Sequence, residues 1–360
     1  MEIENKTIGK DRCFVIAEIG HNHQGSVELC KQMMDAAHAT GADAVKLQKR
    51  DNRSLFTQEA YDKPYDNDNS FGKTYGEHRE ALEFGHEDYM VLKEHAGNLG
   101  LVFFATPFDI PSVRFLEKVG VPCYKIASAM ITDTPLIEAV SATGKPVFMS
   151  TGACSEVDID RAYAILEKAG NEVCLLHCIA AYPMLDYKDA NMGYISRLRE
   201  RYQKAVIGFS SHESGIMLPI AAYVLGARVV EKHFTLNRAM WGTDQKFSLE
   251  PSGMEKMVRD LRRIEVASGC LKQVQPSEDN ARLKLGKGVY ARRDISAGEA
   301  VSPDMVCFKS PAASMLPYEA DELIGRTILV DMKKDQPLDM WAVSKERMKA
   351  YEKTDWGTVL

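Results

Sequence analysis

The stretch CFVIAEIGHNH, residues 13–23, joins an apolar, β-branched run to a polar tip. Runs of the same kind recur along the chain at 44–48, 102–105, 123–126, 147–150, 173–177, 206–208 and 229–233. Stretches with helical periodicity lie between them, among them 27–39, 111–119, 157–169, 216–225 and 253–267. Eight strands that are apolar on both faces and alternate with helices predict an α/β fold, a closed (β/α)₈ TIM barrel.

The alternation of strands and helices ends at residue 268, which marks the predicted end of the barrel domain, 1–268. Residues 269–284 are polar and contain Pro276, so we expect a linker there. Short apolar runs at 289–291, 306–309 and 327–330 then predict a small β-rich domain over 285–345, followed by a tail over 346–360. A domain of this size buries little surface on its own, so we expect it to dock onto the barrel or onto a second subunit.

The formal charge of −6 and the pI near 5.9 disfavour binding to nucleic acid or to an anionic membrane. The first ten residues are polar, and no window approaches the roughly 20 apolar residues of a membrane span. The eight cysteines form no CxxC pair, which indicates reduced thiols that are mostly buried. We therefore expect a cytoplasmic protein.

Catalytic residues of a TIM barrel stand at the carboxyl ends of its strands. The candidates collected there are Glu18, Lys46, Gln48, Thr106, Lys125, Ser128, Ser150, Tyr182, Ser210, His212, Glu231 and His233. The motifs GxGxxG, GxxxxGK[ST], GxSxG and HExxH are absent, which disfavours a nucleotide-binding fold and most other enzyme classes.

Lys46 and Lys125 lie inside apolar strands, where an unpaired charge is costly. One interpretation is that they bind an anionic substrate such as a phosphorylated carboxylate, which the hydroxyl groups of Thr106, Ser128, Ser150 and Ser210 would help to hold. The alternative is that both lysines form internal ion pairs with Glu18 or Glu231 in an inert core.

His212 and His233 follow neighbouring strands, and Glu18 is expected across the barrel mouth from them. Such a set would hold a divalent metal and leave positions open for water or substrate. The alternative is that each histidine is a hydrogen-bonded residue of the core.

Motifs in a fixed order carry a resemblance that covers nearly the whole chain. They are IAEIGHNHQG (16–25), GADAVKLQ (41–48), ATPF (105–108), YKIAS (124–128), STG (150–152), AYP (181–183), GFSSH (208–212) and EKHFT (231–235). They resemble the sialic acid (N-acetylneuraminate) synthases and their relatives that make pseudaminic and legionaminic acids. The resemblance implies a barrel followed by an antifreeze-like (SAF) domain, and a homodimer in which this small domain caps the partner's active site.

The resemblance also implies the site. Phosphoenolpyruvate (PEP) would be bound by Lys46, Thr106, Lys125, Ser128, Ser150 and Ser210. The sugar would lie near Tyr182, Gln48 and Asp244. Mn²⁺ or Mg²⁺ would be held by His212 and His233, with Glu18 nearby.

The implied reaction joins PEP to a mannosamine-type sugar and gives a nine-carbon 2-keto-3-deoxy sugar acid plus phosphate. The metal would polarise the open-chain aldehyde, C3 of PEP would attack it, and water would capture C2 before phosphate leaves by C–O cleavage. Glu18 is the candidate to orient or deprotonate this water, and the two lysines would screen the phosphate.

Three departures from the pattern leave the sugar open. Ile179 and Ala180 stand where better-known bacterial members carry threonine and asparagine, and Gln245 stands where many relatives have histidine. Ser310 replaces an arginine that holds the sugar's N-acetyl group in those enzymes.

The long connection over 49–85 contains GKTYGEH, residues 72–78, which is similar to the branch that makes sialic acid 9-phosphate from a 6-phosphorylated mannosamine. Lys73, His78 and Arg79 are candidates to hold such a phosphate. The alternative is that this segment is a solvated helix start.

The sequence leaves two other functions as alternatives. A metal-dependent aldolase or sugar isomerase would use the same histidines and a lysine without releasing phosphate. A non-catalytic carbohydrate-binding or ice-binding protein is suggested by the C-terminal domain alone, but it would have no reason to bury Lys46 and Lys125 beside two histidines.

Overall fold

The computed structural model describes residues 1–10, 12–347 and 355–359. The chain divides into two compact units, the barrel unit (Met1–Gly269) and the C-terminal unit (Cys270–Leu360). Most of the predicted tail, 346–360, lies outside the described residues. Within the described part of the chain, no helix combines the length and the apolar character needed to cross a membrane.

A short antiparallel hairpin, β1 (Glu2–Ile3) and β2 (Lys6–Thr7), precedes the barrel. The barrel strands are β3 (Phe14–Gly20), β4 (Ala44–Lys49), β5 (Val102–Pro107), β6 (Tyr124–Ile126), β7 (Val147–Ser150), β8 (Val173–Cys178), β9 (Val206–Ser211) and β10 (Val229–His233). They are parallel, follow one another in chain order, and close where β10 pairs with β3. The predicted TIM barrel is confirmed, and each strand falls on a predicted apolar run.

Aromatic side chains fill the barrel below the strand ends. The ring of Phe148 stacks on those of Phe14 and Phe104, with centroid distances of 6.2 and 5.3 Å. All three residues are buried. This packed layer closes the interior, so that polar chemistry is confined to the carboxyl ends of the strands.

The helices of the barrel unit are α1 (Val27–Ala39), α2 (Asn52–Leu55), α3 (Gln58–Asp62), α4 (Tyr75–Glu80), α5 (His86–Asn98), α6 (Ile110–Val119), α7 (Thr134–Ser141), α8 (Glu156–Lys168), α9 (Tyr194–Arg201), α10 (Met217–Val224) and α11 (Pro251–Ala267). Side-chain caps fix several starts: the Ser26 and Asp109 side chains accept from Leu29 N and Ser112 N at α1 and α6.

The long connection between β4 and α5 is folded into α2, α3 and α4. Helix α4 begins with a capping box, in which Thr74 and Glu77 bind each other's backbone. Gly76 allows α4 to approach α3, since a Cβ built at this position would lie 2.3 Å from the ring of Tyr61. The connection is therefore a packed part of the barrel unit.

The C-terminal unit contains α12 (Asp279–Leu285), β11 (Gly288–Ala291), β12 (Val306–Lys309), β13 (Arg326–Ile328), β14 (Val343–Arg347) and α13 (Trp356–Val359). Strands β11 and β12 pair antiparallel, as do β13 and β14. Val289, Val306, Leu323 and Leu338 are among the residues of its own apolar core. Helix α12 lies largely within the segment that the sequence predicted as a linker.

Candidate active site

A pocket of about 280 Å³ opens at the carboxyl ends of the barrel strands, and we call it the mouth pocket. The predicted site residues that line it are Glu18, Lys46, Gln48, Thr106, Lys125, Ser128, Ser150, Tyr182, Ser210, His212, His233 and Asp244. Lys73 and His78 do not line it.

Strand register explains why residues so far apart in sequence meet here. Glu18 lies beside both Lys46 on β4 and His233 on β10. Glu231 pairs with Ser210 on β9. Since side chains alternate between the two faces of a strand, these residues form inward-facing layers.

Two buried ion pairs occupy the floor of the mouth pocket. Lys46 Nζ lies 2.6 Å from Glu18 Oε2 and donates to Thr106 Oγ1 at 3.0 Å. Lys125 Nζ donates to Glu231 Oε1 at 2.7 Å, and this oxygen lies 3.9 Å from Lys46 Nζ. The alternative of internal ion pairs is therefore realised in the structure, and neither lysine requires an external counter-ion to be buried.

Other polar atoms of this pocket are buried without a hydrogen-bond partner among the described residues. They include Ser150 Oγ, Glu231 Oε2 and His233 Nδ1. Buried polar groups in proteins are nearly always paired, so unpaired ones in a cavity point to a polar ligand. This feature distinguishes the pocket from an inert core of matched ion pairs.

The two carboxylates have pKa values shifted in opposite directions. Burial raises the pKa of Glu18 above its usual value, outweighing the opposing effect of Lys46. Burial also disfavours ionisation of Glu231, but Lys125 and Lys46 outweigh it and lower its pKa to about 2. Carboxyl groups separated in this way can take different roles, one as a proton acceptor and one as a fixed charge.

The two histidines are neutral and face each other. Burial lowers the pKa of His212 to about 3 and that of His233 to about 4. The ring centroids lie 5.5 Å apart, and His212 Nδ1 lies 2.9 Å from the Ile179 carbonyl oxygen. This carbonyl holds the proton on Nδ1 and leaves Nε2 of His212 with a free lone pair.

The carboxylate of Glu18, the predicted third metal ligand, is already engaged by two other side chains. Its Oε1 accepts from Gln48 Nε2 at 2.8 Å and its Oε2 faces Lys46. In the described parts of the chain, no three His, Cys, Asp or Glu side chains converge as a metal-ligand group. Instead, Asp244 approaches the pair, with Oδ2 3.8 Å from His233 Nδ1.

Sequence reasoning missed Arg50, which lines the mouth pocket just beyond β4. The buried guanidinium donates to Gln48 Oε1 at 2.7 Å, lies 3.0 Å from His21 Nε2, and lies over the Phe108 ring. Burial, with Arg79 nearby, lowers the pKa of Arg50 to about 10. Extending the strand-end rule by two residues beyond Gln48 would have found it.

The three residues proposed to hold a sugar phosphate, Lys73, His78 and Arg79, lie in different environments in the structure. Lys73 is exposed, and His78 is buried outside the mouth pocket, where Nδ1 accepts from Phe71 N and the ring packs on Tyr65. These contacts commit His78 to packing. Arg79 alone of the three lines the pocket, with Nη1 3.2 Å from Nδ1 of His21.

Comparison with known proteins agrees with this architecture. A NeuB family model matches residues 33–273, and an SAF domain model matches residues 286–340. The chain belongs to the NeuB family. The predicted family, the SAF domain and the predicted class, an enzyme of the synthase type, are confirmed, which leaves the non-catalytic alternative without support.

This NeuB family member is similar over most of its length to named synthases. It is 38% identical over 329 residues to the N-acetylneuraminate-9-phosphate synthase of Mus musculus, covering 91% of each chain. It is 32% identical to the N,N'-diacetyllegionaminic acid synthase of Legionella pneumophila, covering 91% of this chain and 94% of that one. The crystal structure of the N-acetylneuraminic acid synthetase of Leptospira borgpetersenii superposes with a TM-score of 0.68 at 33% identity, covering 78% and 94% of the two chains.

Proposed function

We propose that this enzyme condenses PEP with a mannosamine-type sugar and releases phosphate, giving a nine-carbon 2-keto-3-deoxy sugar acid. The observation that carries the proposal is the mouth pocket itself, where two lysine–carboxylate pairs lie beside two neutral histidines and unpaired polar atoms. The names of two relatives, an N-acetylneuraminate-9-phosphate synthase and an N,N'-diacetyllegionaminic acid synthase, support it.

PEP is assigned to the floor of this pocket. Lys46 and Lys125 supply positive charge there, and each is already held by a carboxylate, so that neither must be reoriented when the substrate arrives. Hydroxyl groups complete the cradle, and the free Ser150 Oγ is one of them. The remaining ones belong to Thr106, Ser128 and Ser210.

Glu18 is assigned the proton transfer. C3 of PEP forms the new bond to the aldehyde carbon, whose oxygen takes up a proton and becomes a hydroxyl group, while water adds to C2 and passes one proton to a carboxylate. Burial raises the pKa of Glu18, which makes it the better acceptor, whereas Glu231 stays ionised beside Lys125. Phosphate then leaves with the oxygen that bridged it to C2 and takes the proton of the C2 hydroxyl, so that the keto group forms.

His212 and His233 are assigned to a divalent metal, Mn²⁺ or Mg²⁺. The donor atoms fit, because His212 Nε2 has a free lone pair and His233 Nδ1 has no hydrogen-bond partner among the described residues. Both rings are neutral, as ligands must be. When bound, the metal would supply a Lewis acid for the acceptor's carbonyl oxygen.

The acceptor is assigned a phosphate group, as in N-acetylmannosamine 6-phosphate. Arg50 and Arg79 both reach His21 from the mouth pocket, and neither forms an ion pair with a carboxylate in the described ranges. Two convergent guanidinium groups without a carboxylate partner favour an anionic group on the ligand. Gln48, Tyr182 and Asp244 are left to bind the sugar itself.

Two substituted positions do not contradict this assignment. Gln245 is buried in the loop, where its Nε2 donates to the Asn22 carbonyl, so that it supports the loop instead of the sugar. Ser310, in the C-terminal unit, contacts the Leu285 carbonyl through its hydroxyl at 3.3 Å.

The test measures phosphate release from PEP with Mn²⁺ and a panel of N-acetylmannosamine, its 6-phosphate, mannose and a diacetamido hexose. We expect fastest release with the 6-phosphate and none after chelation. Arg79→Ala should raise the KM for the 6-phosphate about tenfold or more. Lys73→Ala, in the same segment but outside the pocket, is the matched control and should behave as the wild type. No release with any sugar would favour the aldolase or isomerase instead.

We also propose a cytoplasmic location, because all eight cysteines are free thiols, as in a reducing compartment.

We further propose a homodimer in which the small unit of one subunit caps the barrel of the other, because a small β-rich unit gains stability by docking. Light scattering should give about twice the chain mass of 40.2 kDa. A monomer at working concentration would contradict the dimer.

A further inference from the structure

A second cavity of about 790 Å³ lies on the side of the barrel unit, and we call it the side cleft. It is lined by the end of β4, by the connection that follows this strand and by α6. Apart from Arg50, its lining residues are separate from those of the mouth pocket. The proposed function uses none of the others.

Positive charge dominates the side cleft. Five Lys or Arg residues line it against three Asp or Glu residues. The carboxylates are already engaged: Asp51 caps α2, Glu83 accepts from Lys49 Nζ at 2.9 Å, and Glu80 accepts from a tyrosine hydroxyl. The negative groups are therefore held by the chain itself.

The cations farther from β4 are available. Arg53, Arg114 and Lys118 are exposed, and none of them forms an ion pair in the part of the chain that the structure describes. The Arg53 guanidinium lies 3.7 Å from the centroid of the Tyr61 ring, which holds it in place. These three groups are free to meet an anion.

Two buried polar side chains of the side cleft lack partners. Asn52 and Ser112 are only 2% and 1% exposed, yet the amide of Asn52 and the hydroxyl of Ser112 make no hydrogen bond among the described residues. The local backbone does not need them, because Asp109 caps α6 through Ser112 N. An amide with a free donor and a free acceptor fits a ligand that carries hydroxyl groups.

We propose that the side cleft is a binding site for a hydroxylated anion, a sugar or polyol that carries a phosphate or a carboxylate. Its hydroxyl groups pair with Asn52 and Ser112, and its charge meets Arg114 and Lys118. Arg50 also lines this cleft, and on its other side it binds Gln48 in the mouth pocket. A ligand bound here is thus placed to alter binding of the acceptor sugar.

Isothermal titration of the full chain tests the site with glucose 6-phosphate, gluconate, inorganic phosphate and glucose. Glucose 6-phosphate and gluconate distinguish a ligand that carries a phosphate from one that carries a carboxylate. Inorganic phosphate tests the charge alone, and glucose tests the hydroxyl groups alone. We expect at least one hydroxylated anion to bind about tenfold or more tighter than both phosphate and glucose. Phosphate that binds as tightly as the tighter-binding of the two hydroxylated anions would overturn the proposal.

Variants locate the binding. Arg114→Ala/Lys118→Ala should weaken the hydroxylated anion about tenfold or more, and both side chains are exposed, so the fold should be kept. Lys168→Ala is the matched control, since Lys118 and Lys168 both stand in the last turn of a barrel helix. Asn52→Ala should weaken the hydroxylated anion but not inorganic phosphate. Equal affinity of the double variant and of Lys168→Ala for the hydroxylated anion would contradict its binding in the side cleft.

Arg79→Ala separates the side cleft from the mouth pocket. Because Arg79 lines the mouth pocket and not the side cleft, this change should leave the affinity for the hydroxylated anion unaltered. If the affinity instead falls with Arg79→Ala, the ligand occupies the acceptor site and the proposal is wrong. In the wild type, the bound anion should change the KM of the acceptor, and an unchanged KM at saturation would overturn the link through Arg50.

Discussion

The barrel unit buries ion pairs at its mouth, whereas the ion pairs in the described part of the C-terminal unit are largely exposed. In the barrel unit, Lys125 and Glu231 pair inside the mouth pocket with side chains 4% and 6% exposed. In the C-terminal unit, Lys333 and Asp294 pair at 2.9 Å with side chains 74% and 61% exposed. Burying a pair costs desolvation that its attraction does not always offset, whereas an exposed pair costs little and adds little. The cost of burying the Lys125–Glu231 pair favours a chemical use for it in the mouth pocket.

Histidines follow the same division. All nine lie before residue 269, and burial lowers the pKa of six of them, His21, His23, His78, His177, His212 and His233. The C-terminal unit has none. The two units should therefore respond differently to acid.

The largest effect is expected from breaking a buried pair. Lys125→Met leaves Glu231 without its 2.7 Å partner and should lower the free energy of unfolding of the barrel unit by about 3–5 kcal/mol. Urea denaturation followed by peptide-resolved hydrogen exchange measures this. Lys333→Met is the matched control in the C-terminal unit, and its effect should lie within error. Similar losses in the two variants would contradict the comparison.

Acid should weaken the barrel unit first. The folded-state pKa of His233 is about 4 and that of His212 about 3, against an unfolded value of 6.5, so the unfolded chain takes up protons first. This contribution to stability is complete above pH 6.5 and is lost as the pH falls toward the folded-state pKa values.

In the C-terminal unit, three carboxylates have lowered pKa values. The main cause is a hydrogen bond from Lys333 for Asp294, from Lys309 for Asp335, and from the Ser296 backbone for Glu299.

For these carboxylates the stability is present above their unfolded values of 3.8 and 4.5, and is lost only below them. Urea midpoints of the two units, measured with chelator at pH 7 and at about pH 5, should therefore fall for the barrel unit alone. A larger fall for the C-terminal unit over this interval would show that the histidine contrast is wrong.

A smaller contrast concerns glycines. Gly76→Ala would place a Cβ 2.3 Å from the Tyr61 ring and should cost about 1–3 kcal/mol. Gly298→Ala, in the C-terminal unit, meets nothing within 4 Å, but its φ of +92° should cost about 1–2 kcal/mol. Because α4 carries Arg79, only the first change should also raise the acceptor's KM. An unaltered KM in Gly76→Ala would separate the packing of α4 from the site.

The smallest effect is on thiol chemistry, without a change in stability. Cys270 is exposed, whereas burial raises the pKa of Cys154 to about 11 and that of Cys30 still further. Iodoacetamide should label Cys270 first in the native enzyme, as mass mapping would show. Labelling of a barrel cysteine at the same rate would contradict the burial described for these thiols.

The barrel was predictable because its strands are covered on both faces, which leaves continuous apolar runs in the sequence. The runs at 147–150 and 229–233 coincide with β7 and β10. The short helices α2 and α3 were not predicted, because their sequence is polar. Helix α4 was foreseen only as the alternative of a helix start within 72–78, and its packing depends on contacts such as that of Gly76 with Tyr61. Strand β14 was missed for a similar reason, since VSKER has little apolar pattern.

The sequence was sufficient to predict which residues form the site, but not which of them form ion pairs with one another. The strand-end rule selected Glu18, Lys46 and Lys125 without any structure. It could not decide which carboxylate each lysine meets, because the register and the inward layers of the barrel set those distances. Arg50 lies one residue beyond β4, and the pairing of β4 with β5 places it over Phe108.

The central claim, PEP condensation by C–O cleavage, is tested most directly with PEP that carries a heavy oxygen isotope in the bridge between C2 and phosphorus. The labelled PEP is incubated with the enzyme, Mn²⁺ and the acceptor panel, and the masses of the released phosphate and the keto acid are measured by mass spectrometry. The account predicts that the label is found in the released phosphate and that the keto acid carries oxygen from water. Label retained in the keto acid, or no phosphate with any acceptor, would contradict it.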